Sequence, residues 1–480
     1  AALIDCRYHY PTEAFDQAWH AVCLNQFHDI LPGSSIAPVY AESLKQYAQL
    51  QEEITAVRDR ALEVIAENLG ADLLLVNPTS FTRSDPALIP GLRAAGLFKA
   101  GQPLLVQSVE GGLLVDTGEL APYSVTALQV NEPVGQRPTV EIHAEAADDL
   151  LLENESLRVE FNASGDIVSI WDKSDGREVL APGAVANQIQ AFEDRPRTFD
   201  AWEIEAYYDD KMWLAEPAES IRRVENGPLR QTIEIKRRIL NSDILQRVSL
   251  CHNSPRLDFD TVVQWRERHI LLKAAFPVDV LSTPATYEIQ RGSVQRPTHR
   301  DTSWDWARFE TCAHKWIDLS EGGYGVSLLN DCKYGHDVHG NVLRITLLRS
   351  PAQPDPFADA GEQRFTYSLL PHAGPLDERT AREAYALNDT VIAWVRTCLL
   401  YTSDAADDLL RVDLGGRRII KKKIIIPLSL LTICRCHTSP LIPFLCSSSS
   451  SANPPSLHPT YHLPQHTTNP QLQLTINHLA

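Results

Sequence analysis

The sequence has little of what marks a disulfide-rich, secreted or membrane-embedded protein. Its nine cysteines in 480 residues include no Cys-x-x-Cys pair. This spacing argues against a disulfide framework and against a zinc site built from thiolates. No clean apolar run reaches membrane-spanning length, and the N-terminus lacks the basic-then-apolar pattern of a secretory signal. We therefore expect a cytoplasmic protein that does not act at a membrane.

Positive charge and methionine are also scarce. The net charge is -18, which argues against nucleic acid or an anionic membrane as a partner. Met212 is the only methionine, and the chain opens with Ala1 rather than with an initiator. We therefore expect a fragment of a longer reading frame.

The first 70 residues have the apolar spacing of helices. Apolar residues at three- and four-residue intervals predict one helix from Pro11 to Phe27, with Thr12 as its N-cap. A longer apolar stripe predicts a second helix that begins after a cap at Ser34 or Ser35 and stops at Gly70. Residues 1–70 are therefore expected to form a helical domain.

A turn separates these two helices and carries two residues that could bind a ligand. Pro32 and Gly33 cannot lie inside a helix, so His28 and Asp29 are expected at the helix-to-loop corner. A neutral imidazole beside a carboxylate suits a metal site or a sugar-hydroxyl site. The two residues alone also allow a structural interpretation, in which each caps a helix end.

Beyond Gly70 the pattern changes to that of strands. Polar and apolar residues alternate in Ser156–Phe161, and Ile167–Trp171 returns after a turn, which predicts a hairpin. We expect a small β-sandwich over residues 71–130, a polar linker over 131–147 and a large antiparallel sandwich over 148–390. The predicted fold class is α+β and multidomain, with the helical segment first.

The last part of the chain, residues 400–480, differs from the rest in composition. It has no glutamate and only four aspartates against seven lysines and arginines, and it ends in a serine run followed by Pro, His, Thr and Asn. Such a mixture cannot bury a core. The segment resembles translated adapter DNA fused to a truncated gene, and the alternative is a natural basic, disordered tail. We assign it no function.

The corner and two further blocks together resemble one protein family. The corner reads Asn-Gln-Phe-His-Asp-Ile-Leu-Pro-Gly-Ser-Ser, and it resembles the zinc-site signature of family 38 glycoside hydrolases, the α-mannosidases of the cytosolic and bacterial branch. The resemblance covers roughly Pro11 to Leu387, in the family's order. The second block comprises Ala285–Gln290, Gln295–His299 and Thr302–Glu310, and the third comprises Leu328–Gly335 followed by Leu347–Pro351.

The resemblance implies a mechanism and a set of roles. In that family a retaining mechanism uses a carboxylate nucleophile and a general acid, and one zinc ion clamps the sugar hydroxyls and the nucleophile. His28 matches the zinc ligand from the helical domain, and Asp29 matches the neighbouring carboxylate that contacts substrate. The remaining ligands, the nucleophile and the general acid are expected upstream, in a barrel. One imidazole cannot hold a catalytic zinc. The chain alone is therefore expected to be inactive, and its parent to hydrolyse mannose-containing oligosaccharides, with a homo-oligomer allowed.

Other residues carry weaker hypotheses. A set of aromatic and charged side chains either lines a sugar cleft or forms an aromatic core with a buried ion pair: Arg296, His299, Trp304, Asp305, Trp306 and Arg308. His336 and His339 mimic a metal pair, although a polar turn between strands is the favoured interpretation. The loop Phe199–Glu203 is a candidate to approach the site, and the sequence does not decide it.

Two other functions remain open from the sequence. One is a non-catalytic carbohydrate-binding or structural β-sandwich protein. The other is a metal-dependent phosphohydrolase built around the His-Asp pair, which would need more His and Asp residues on helices, whereas the chain after Gly70 turns to strands.

Overall fold

The computed structural model describes residues 1–92, 96–131, 145–146 and 150–396. The predicted α+β class is confirmed, because a pair of N-terminal helices precedes sheets in which neighbouring strands run antiparallel. The predicted tail, 400–480, and most of the predicted linker, 131–147, lie outside the described residues. None of the helices in the described residues combines the length and the apolar character that a bilayer-spanning segment needs.

The two N-terminal helices are α1, Thr12–Asn25, and α2, Ala37–Leu69. The prediction that Thr12 caps α1 is wrong, because Thr12 is already helical and Pro11 occupies the cap position without a side-chain hydrogen bond. Proline suits a helix start because a first-turn N–H has no partner within the helix. The predicted end of α2 is confirmed: Gly70 has φ of 60°, a left-handed conformation that glycine adopts without strain.

Two small sheets follow α2 and enclose a core of leucine, isoleucine and valine side chains such as Leu73, Ile89 and Val115. The last described strand returns to the first sheet, where it pairs with the first strand. In sheet order, the five-stranded sheet contains Ile392–Val395, Leu73–Val76, Val125–Asn131, Gly96–Lys99 and Gln102–Pro103, and the three-stranded sheet contains Ala87–Pro90, Gly112–Val115 and Val106–Val109.

Three further sheets make up the rest of the described β structure. The four-stranded sheet contains Arg177–Glu178, Ile167–Asp172, Leu157–Phe161 and Leu151–Glu153. The six-stranded sheet contains Met212–Leu214, Gln188–Glu193, Ile270–Pro277, Val342–Leu348, Gly335–His339 and Thr311–Cys312. The ten-stranded sheet contains Gly292–Pro297, Pro284–Ile289, Trp316–Ser320, Tyr324–Asn330, Gly361–Ala373, Leu257–Trp265, Ser242–Cys251, Arg230–Ile239, Ser220–Asn226 and Glu145–Ala146.

One continuous core joins these three sheets. Strand Ser242–Cys251 shows how it forms, because alternate residues are buried along its whole length. Its inward side chains pack with those of the six-stranded sheet, among them Phe276 and Ile345. The remaining helices are short: a 3-10 turn at Ala206–Asp210, α3 at Ser303–Trp306 and α4 at Glu378–Asn388.

The register of the six-stranded sheet brings several loops to one end. Glu193 pairs with Ile270, and Leu348 lies opposite Leu272, so two strands end where a third begins. Strand Gly335–His339 begins at the same end, since Gly335 pairs with Thr346. The loops over 194–211, 266–269, 331–334 and 349–360 therefore meet there.

Candidate functional site

The corner between α1 and α2 is tied together by Asn25 at the last position of α1. Its side chain is buried, and its amide nitrogen donates to the Ala21 carbonyl at 2.9 Å and to Gln46 Oε1 on α2 at 2.7 Å. A buried amide with both hydrogens bonded resists displacement, because breaking either bond leaves a polar group without water. The end of α1 is therefore fixed against α2.

Tyr40 holds the loop that follows. Its hydroxyl accepts the N–H of Ser35 at 2.8 Å and lies 3.2 Å from the carbonyl oxygen of Asp29 and 3.4 Å from that of Ile30. The predicted serine cap of α2 is wrong: Ser34 is buried in the loop, and α2 begins without a side-chain cap. The Tyr40 hydroxyl therefore fixes the loop before α2, while the first turn of α2 has no side-chain cap.

His28 and Asp29 project from this fixed loop. His28 Nε2 lies 3.4 Å from Asp29 Oδ2, and the two side chains are 63% and 44% exposed. The imidazole ring also lies against Phe27, with ring centroids 4.2 Å apart. The backbone is held while the two polar side chains face solvent, so both are accessible to a ligand.

The donor set at the corner suits part of a metal site. An exposed imidazole nitrogen can supply one ligand to a zinc ion, and a carboxylate beside it can accept hydrogen bonds from hydroxyl groups. No group of three or more His, Cys, Asp or Glu that could hold a metal ion occurs within the described ranges. A catalytic zinc ordinarily takes three protein ligands, so these residues fit as a contribution to a site and not as a whole one.

A second group of residues organises the loops at the end of the six-stranded sheet. Asp200 Oδ2 accepts the N–H groups of Ala352 at 2.6 Å and Gln353 at 3.0 Å, and it lies 3.1 Å from His269 Nε2. One carboxylate therefore joins three segments that are far apart in sequence. The loop Phe199–Glu203, left undecided by the sequence, is a structural support for the loop over 349–360.

Arg349 fixes the same two loops from the other side. Its Nε donates to the buried Asp194 at 2.6 Å, and its two terminal nitrogens donate to the carbonyl oxygens of Ala201, at 3.1 Å, and Glu203. Burial raises the pKa of Asp194, and the adjacent Arg349 charge opposes that rise. The guanidinium thus joins the buried Asp194 carboxylate to two carbonyls of the loop that carries Asp200.

The loop over 349–360 lies beside the helical corner. The pKa of the Tyr40 phenol is raised, chiefly by burial and further by the carboxylates of Asp355, Asp29 and Asp359. A charge shifts the pKa of another group appreciably only when the two lie within a Debye length, about 10 Å, of each other. The corner that carries His28 therefore adjoins an acidic loop of the large β region, although more than 300 residues separate them in the chain.

The aromatic segment after strand Gly292–Pro297 is largely at the surface. Trp304 is 78% exposed and Trp306 is 47% exposed, so the expectation of an aromatic core is wrong for both. Asp305 pairs at 3.6 Å with Arg308, which is half exposed, and at 3.7 Å with His299. Thr302 is the N-cap of α3: its hydroxyl accepts the N–H of Asp305 and donates to Asp305 Oδ2 at 2.7 Å. The Asp305 carboxylate is 13% exposed, but both of its ionic partners are partly exposed, so these pairs are not enclosed in a core.

His336 and His339 lie on a strand and not in the polar turn that the sequence favoured, since Gly335–His339 pairs with Val342–Leu348. His336 is fully buried, whereas His339 is exposed at the strand end. Side chains three residues apart on a strand point to opposite faces, so the two imidazoles do not form a metal pair.

Sequence analysis missed a buried charge network under the same sheet. Lys273 is fully buried and bonds to Asp337 at 2.7 Å and to Glu310. Arg344 also bonds to Asp337, at 2.8 Å. Burial works to raise the pKa of Asp337, but the Lys273 and Arg344 charges hold it below its usual value. The one signal in the sequence was a lysine inside the apolar run Ile270–Pro277.

Two family profiles match the sequence. Residues 1–65 match the alpha mannosidase middle domain, and residues 152–357 match the glycosyl hydrolases family 38 C-terminal domain. The first match contains the corner, and the second contains the six-stranded sheet and most of its loops.

Curated relatives agree with these profiles. The chain is 36% identical over 389 residues to alpha-mannosidase 2C1 of Homo sapiens, a match that covers 80% of this chain and 36% of that protein. It is 33% identical over 413 residues to alpha-mannosidase G of Dictyostelium discoideum, covering 77% of this chain and 38% of that protein. The chain thus spans little more than a third of the curated relatives that it matches.

A solved structure shows the same fold. The crystal structure of an alpha-mannosidase from Enterococcus faecalis superposes with a TM-score of 0.64 at 17% sequence identity. The superposition covers 80% of this chain and 53% of that one.

Proposed function

Because this chain belongs to glycosyl hydrolase family 38, we propose that it is part of a zinc-dependent, retaining α-mannosidase that removes terminal mannose from oligosaccharides. The relatives that carry the name α-mannosidase are about three times as long as the matched region. The activity is therefore proposed for the complete protein and not for this chain alone. The observation that carries the proposal is the exposed His28–Asp29 pair at a fixed corner within the matched middle domain.

His28 is the zinc ligand in this proposal. Its Nε2 lies 3.4 Å from the Asp29 carboxylate, and its side chain is largely exposed. The nitrogen is therefore accessible to a metal ion whose other ligands lie outside the described residues. The hydrogen bonds of Tyr40 and Asn25 hold the backbone on both sides of it, which limits the entropy lost when the imidazole binds. When bound, zinc would act as a Lewis acid toward sugar hydroxyls.

Asp29 is the substrate contact. Its carboxylate accepts hydrogen bonds, and sugar hydroxyls donate them, so it can orient a mannose ring beside the metal. The acidic loop with Asp355 and Asp359 adjoins the same corner and supplies further acceptors. An acidic surface of this kind suits a neutral, hydroxyl-rich substrate better than an anionic one.

The nucleophile and the general acid are proposed to come from sequence outside this chain. The described residues bring one imidazole and a few carboxylates to the corner, and no group that could hold a metal alone. We accordingly propose that the 480-residue chain is inactive by itself, and that the complete enzyme works in the cytoplasm.

The test is to express the complete gene that contains this sequence. The protein should contain zinc and release 4-nitrophenol from 4-nitrophenyl α-mannoside, and proton NMR should show α-mannose as the first product formed. A complete protein that hydrolyses α-mannosides without zinc would show that the activity does not require the metal. A complete protein with no activity on α-mannosides would show that the proposed α-mannosidase function is wrong.

A second candidate is a non-catalytic carbohydrate-binding protein. The exposed Trp304 and Trp306 favour it, since aromatic rings at a surface stack on sugar faces. A glycan-binding measurement on this chain, with Trp304→Ala as the comparison, would support it if binding occurs and depends on the tryptophan. The phosphohydrolase alternative is dropped, because the chain belongs to a glycosyl hydrolase family.

A further inference from the structure

Two loops at one end of the six-stranded sheet carry three large aromatic side chains, Phe199, Trp202 and Phe357, here called the loop aromatics. Phe199 and Trp202 belong to the loop over 194–211, and Phe357 belongs to the loop over 349–360. The three residues are 70%, 47% and 66% exposed. Large rings gain free energy when they leave water, so the exposure of three on adjoining loops calls for an explanation.

Hydrogen bonds hold the two loops together. The carboxylate of Asp200, the residue after Phe199, accepts the N–H groups of Ala352 at 2.6 Å and Gln353 at 3.0 Å. Within the first loop, the N–H of Trp202 donates to the carbonyl oxygen of Phe199 at 2.7 Å. The backbone that carries these two rings is therefore fixed relative to the second loop.

Phe357 is joined to the same carboxylate through a third loop. The Arg268 guanidinium lies over the Phe357 ring, 5.1 Å from its centroid. His269, the next residue, has its Nε2 atom 3.1 Å from Asp200 Oδ2. The loop aromatics are therefore grouped around Asp200 by direct contacts, and all three remain open to solvent.

The backbone is strained at the same place. Phe199 has a φ of 52°, His269 of 53° and Asp359 of 59°, which are left-handed values that residues with a Cβ atom rarely adopt. Such strain persists only where the surroundings impose it, and it concentrates at ligand-binding sites. An exposed ring adds little to the core, so the strain at Phe199 serves the position of the ring rather than the stability of the fold.

Polar groups alternate with the rings. Thr198 and Glu203 are exposed, and the threonine hydroxyl donates to the glutamate carboxylate at 3.2 Å. Gln353 and Asp359 are exposed on the second loop. The centre of a protein interface is depleted in charged residues, so this mixed surface suits a protein partner poorly. A sugar suits it, because a sugar has apolar C–H faces and a rim of hydroxyl groups.

We propose that the loop aromatics bind a neutral oligosaccharide. The rings stack on the faces of successive sugar units, and the carboxylates of Glu203 and Asp359 accept hydrogen bonds from hydroxyl groups. Mannose is the expected sugar, and this choice rests on the proposed function of the complete protein. No bond is broken at this surface, so binding can be measured on the 480-residue chain.

The 480-residue chain is titrated with α-linked mannotriose, and the dissociation constant is measured by saturation-transfer difference NMR. Trp202→Ala and Phe357→Ala should each weaken binding about threefold to tenfold, the loss expected from one aromatic contact. The matched control is Trp171→Ala, which removes an indole of similar exposure, 41%, from strand Ile167–Asp172 and should bind as the parent does.

Phe199→Gly separates binding from folding. Glycine adopts a φ of 52° without strain, and little buried surface is lost, so the thermal midpoint should change by less than about 2 °C. Binding should weaken by the same factor as in Trp202→Ala. A larger fall of the midpoint would show that the ring packs against the loop, and it would overturn the assignment of Phe199 to the site.

No binding of mannotriose, or unchanged binding after Trp202→Ala and Phe357→Ala, would overturn the proposal. Loss of binding on Trp304→Ala alone would also overturn it, because Trp304 lies outside both loops. Self-association in sedimentation velocity that Trp202→Ala abolishes would overturn it as well, since a second copy would then cover the rings.

The same measurements separate this surface from the mannosidase function. If the chain binds no mannotriose while the complete protein hydrolyses α-mannosides, only the oligosaccharide surface is wrong. Binding through the loop aromatics without hydrolysis by the complete protein would overturn only the mannosidase function.

Discussion

His28 Nε2 lies 3.4 Å from Asp29 Oδ2, and the two side chains are largely exposed, with 63% and 44% of their surfaces open to solvent. The loop that carries them is held by Tyr40, whose hydroxyl bonds to the backbone of Ser35 and Asp29. Because Tyr40 holds the loop through backbone groups, each of the two polar side chains can be replaced without unfolding the corner. Their roles can therefore be separated by substitution.

Replacing His28 tests whether this residue is a zinc ligand. In the complete protein, His28→Ala should lose most of its zinc and nearly all turnover, because one ligand of the proposed site is removed. The thermal midpoint of the metal-free protein should hardly change, since the exposed imidazole packs on little besides Phe27. Metal content and activity measured on the same preparation decide the matter. Full zinc occupancy with normal turnover would return His28 to a structural role.

Asp29→Asn should behave differently from His28→Ala. Zinc should remain, but the hydrogen bond from a sugar hydroxyl would weaken by roughly 1.5–3 kcal/mol as the acceptor loses its charge. We therefore expect kcat/KM to fall by about one to two decades. A variant with unchanged kcat/KM would show that Asp29 does not contact the substrate.

Lys273→Met tests the buried network. The substitution leaves Asp337 and Glu310 facing each other without the lysine, and it should lower the free energy of unfolding by about 3–5 kcal/mol. The matched control is Lys236→Met, which breaks a half-exposed pair with Glu219 at 3.3 Å and should cost less than about 1 kcal/mol. Urea unfolding of the two variants measures the difference. Equal losses would mean that the network contributes no more than a surface pair.

His336 should make stability depend on pH. Burial lowers the pKa of this imidazole to about 4 from its ordinary 6.5. Above pH 6.5 the residue is neutral in both states, so its contribution is complete. As the pH falls from 6.5 to 4 the unfolded chain takes up the proton first, and stability is lost by an amount on the order of 3 kcal/mol.

The comparison for this prediction is His336→Asn, whose amide can replace the donor to Tyr334. Unfolding free energies of both proteins are measured between pH 4 and 7. The parent should lose more stability than the variant across that window. Parallel curves would mean that His336 titrates normally in the folded protein.

Deleting every residue after Leu399 should leave the thermal midpoint unchanged to within about 2 °C. The reason is compositional: the last stretch of the segment, from its serine run onward, is rich in Ser, Pro, Thr and Asn, a mixture that cannot bury a core. Differential scanning calorimetry of the two lengths provides the measurement. A large loss of stability on truncation would show that the segment packs against the rest.

The sequence by itself determined the parts that depend on local pattern. Proline and glycine at positions 32 and 33 require a turn, a left-handed glycine ends α2, and alternation of polar and apolar residues specifies strands such as Leu157–Phe161. The match of the corner to a family signature came from the same local string. These features need no knowledge of which segments meet.

Only the tertiary structure decided which groups meet. Asp200 bonds to Ala352 and Gln353, and Lys273 bonds to Asp337, across separations of 64 to 153 residues. The sequence shows that a carboxylate needs a hydrogen-bond donor, but it does not show which of many donors will lie within 3 Å of it. That choice follows from strand register, which is set by how the buried faces of whole sheets fit together. For this reason the end of α2 and the strands could be predicted, while the role of Tyr40 and the partners of Arg349 could not.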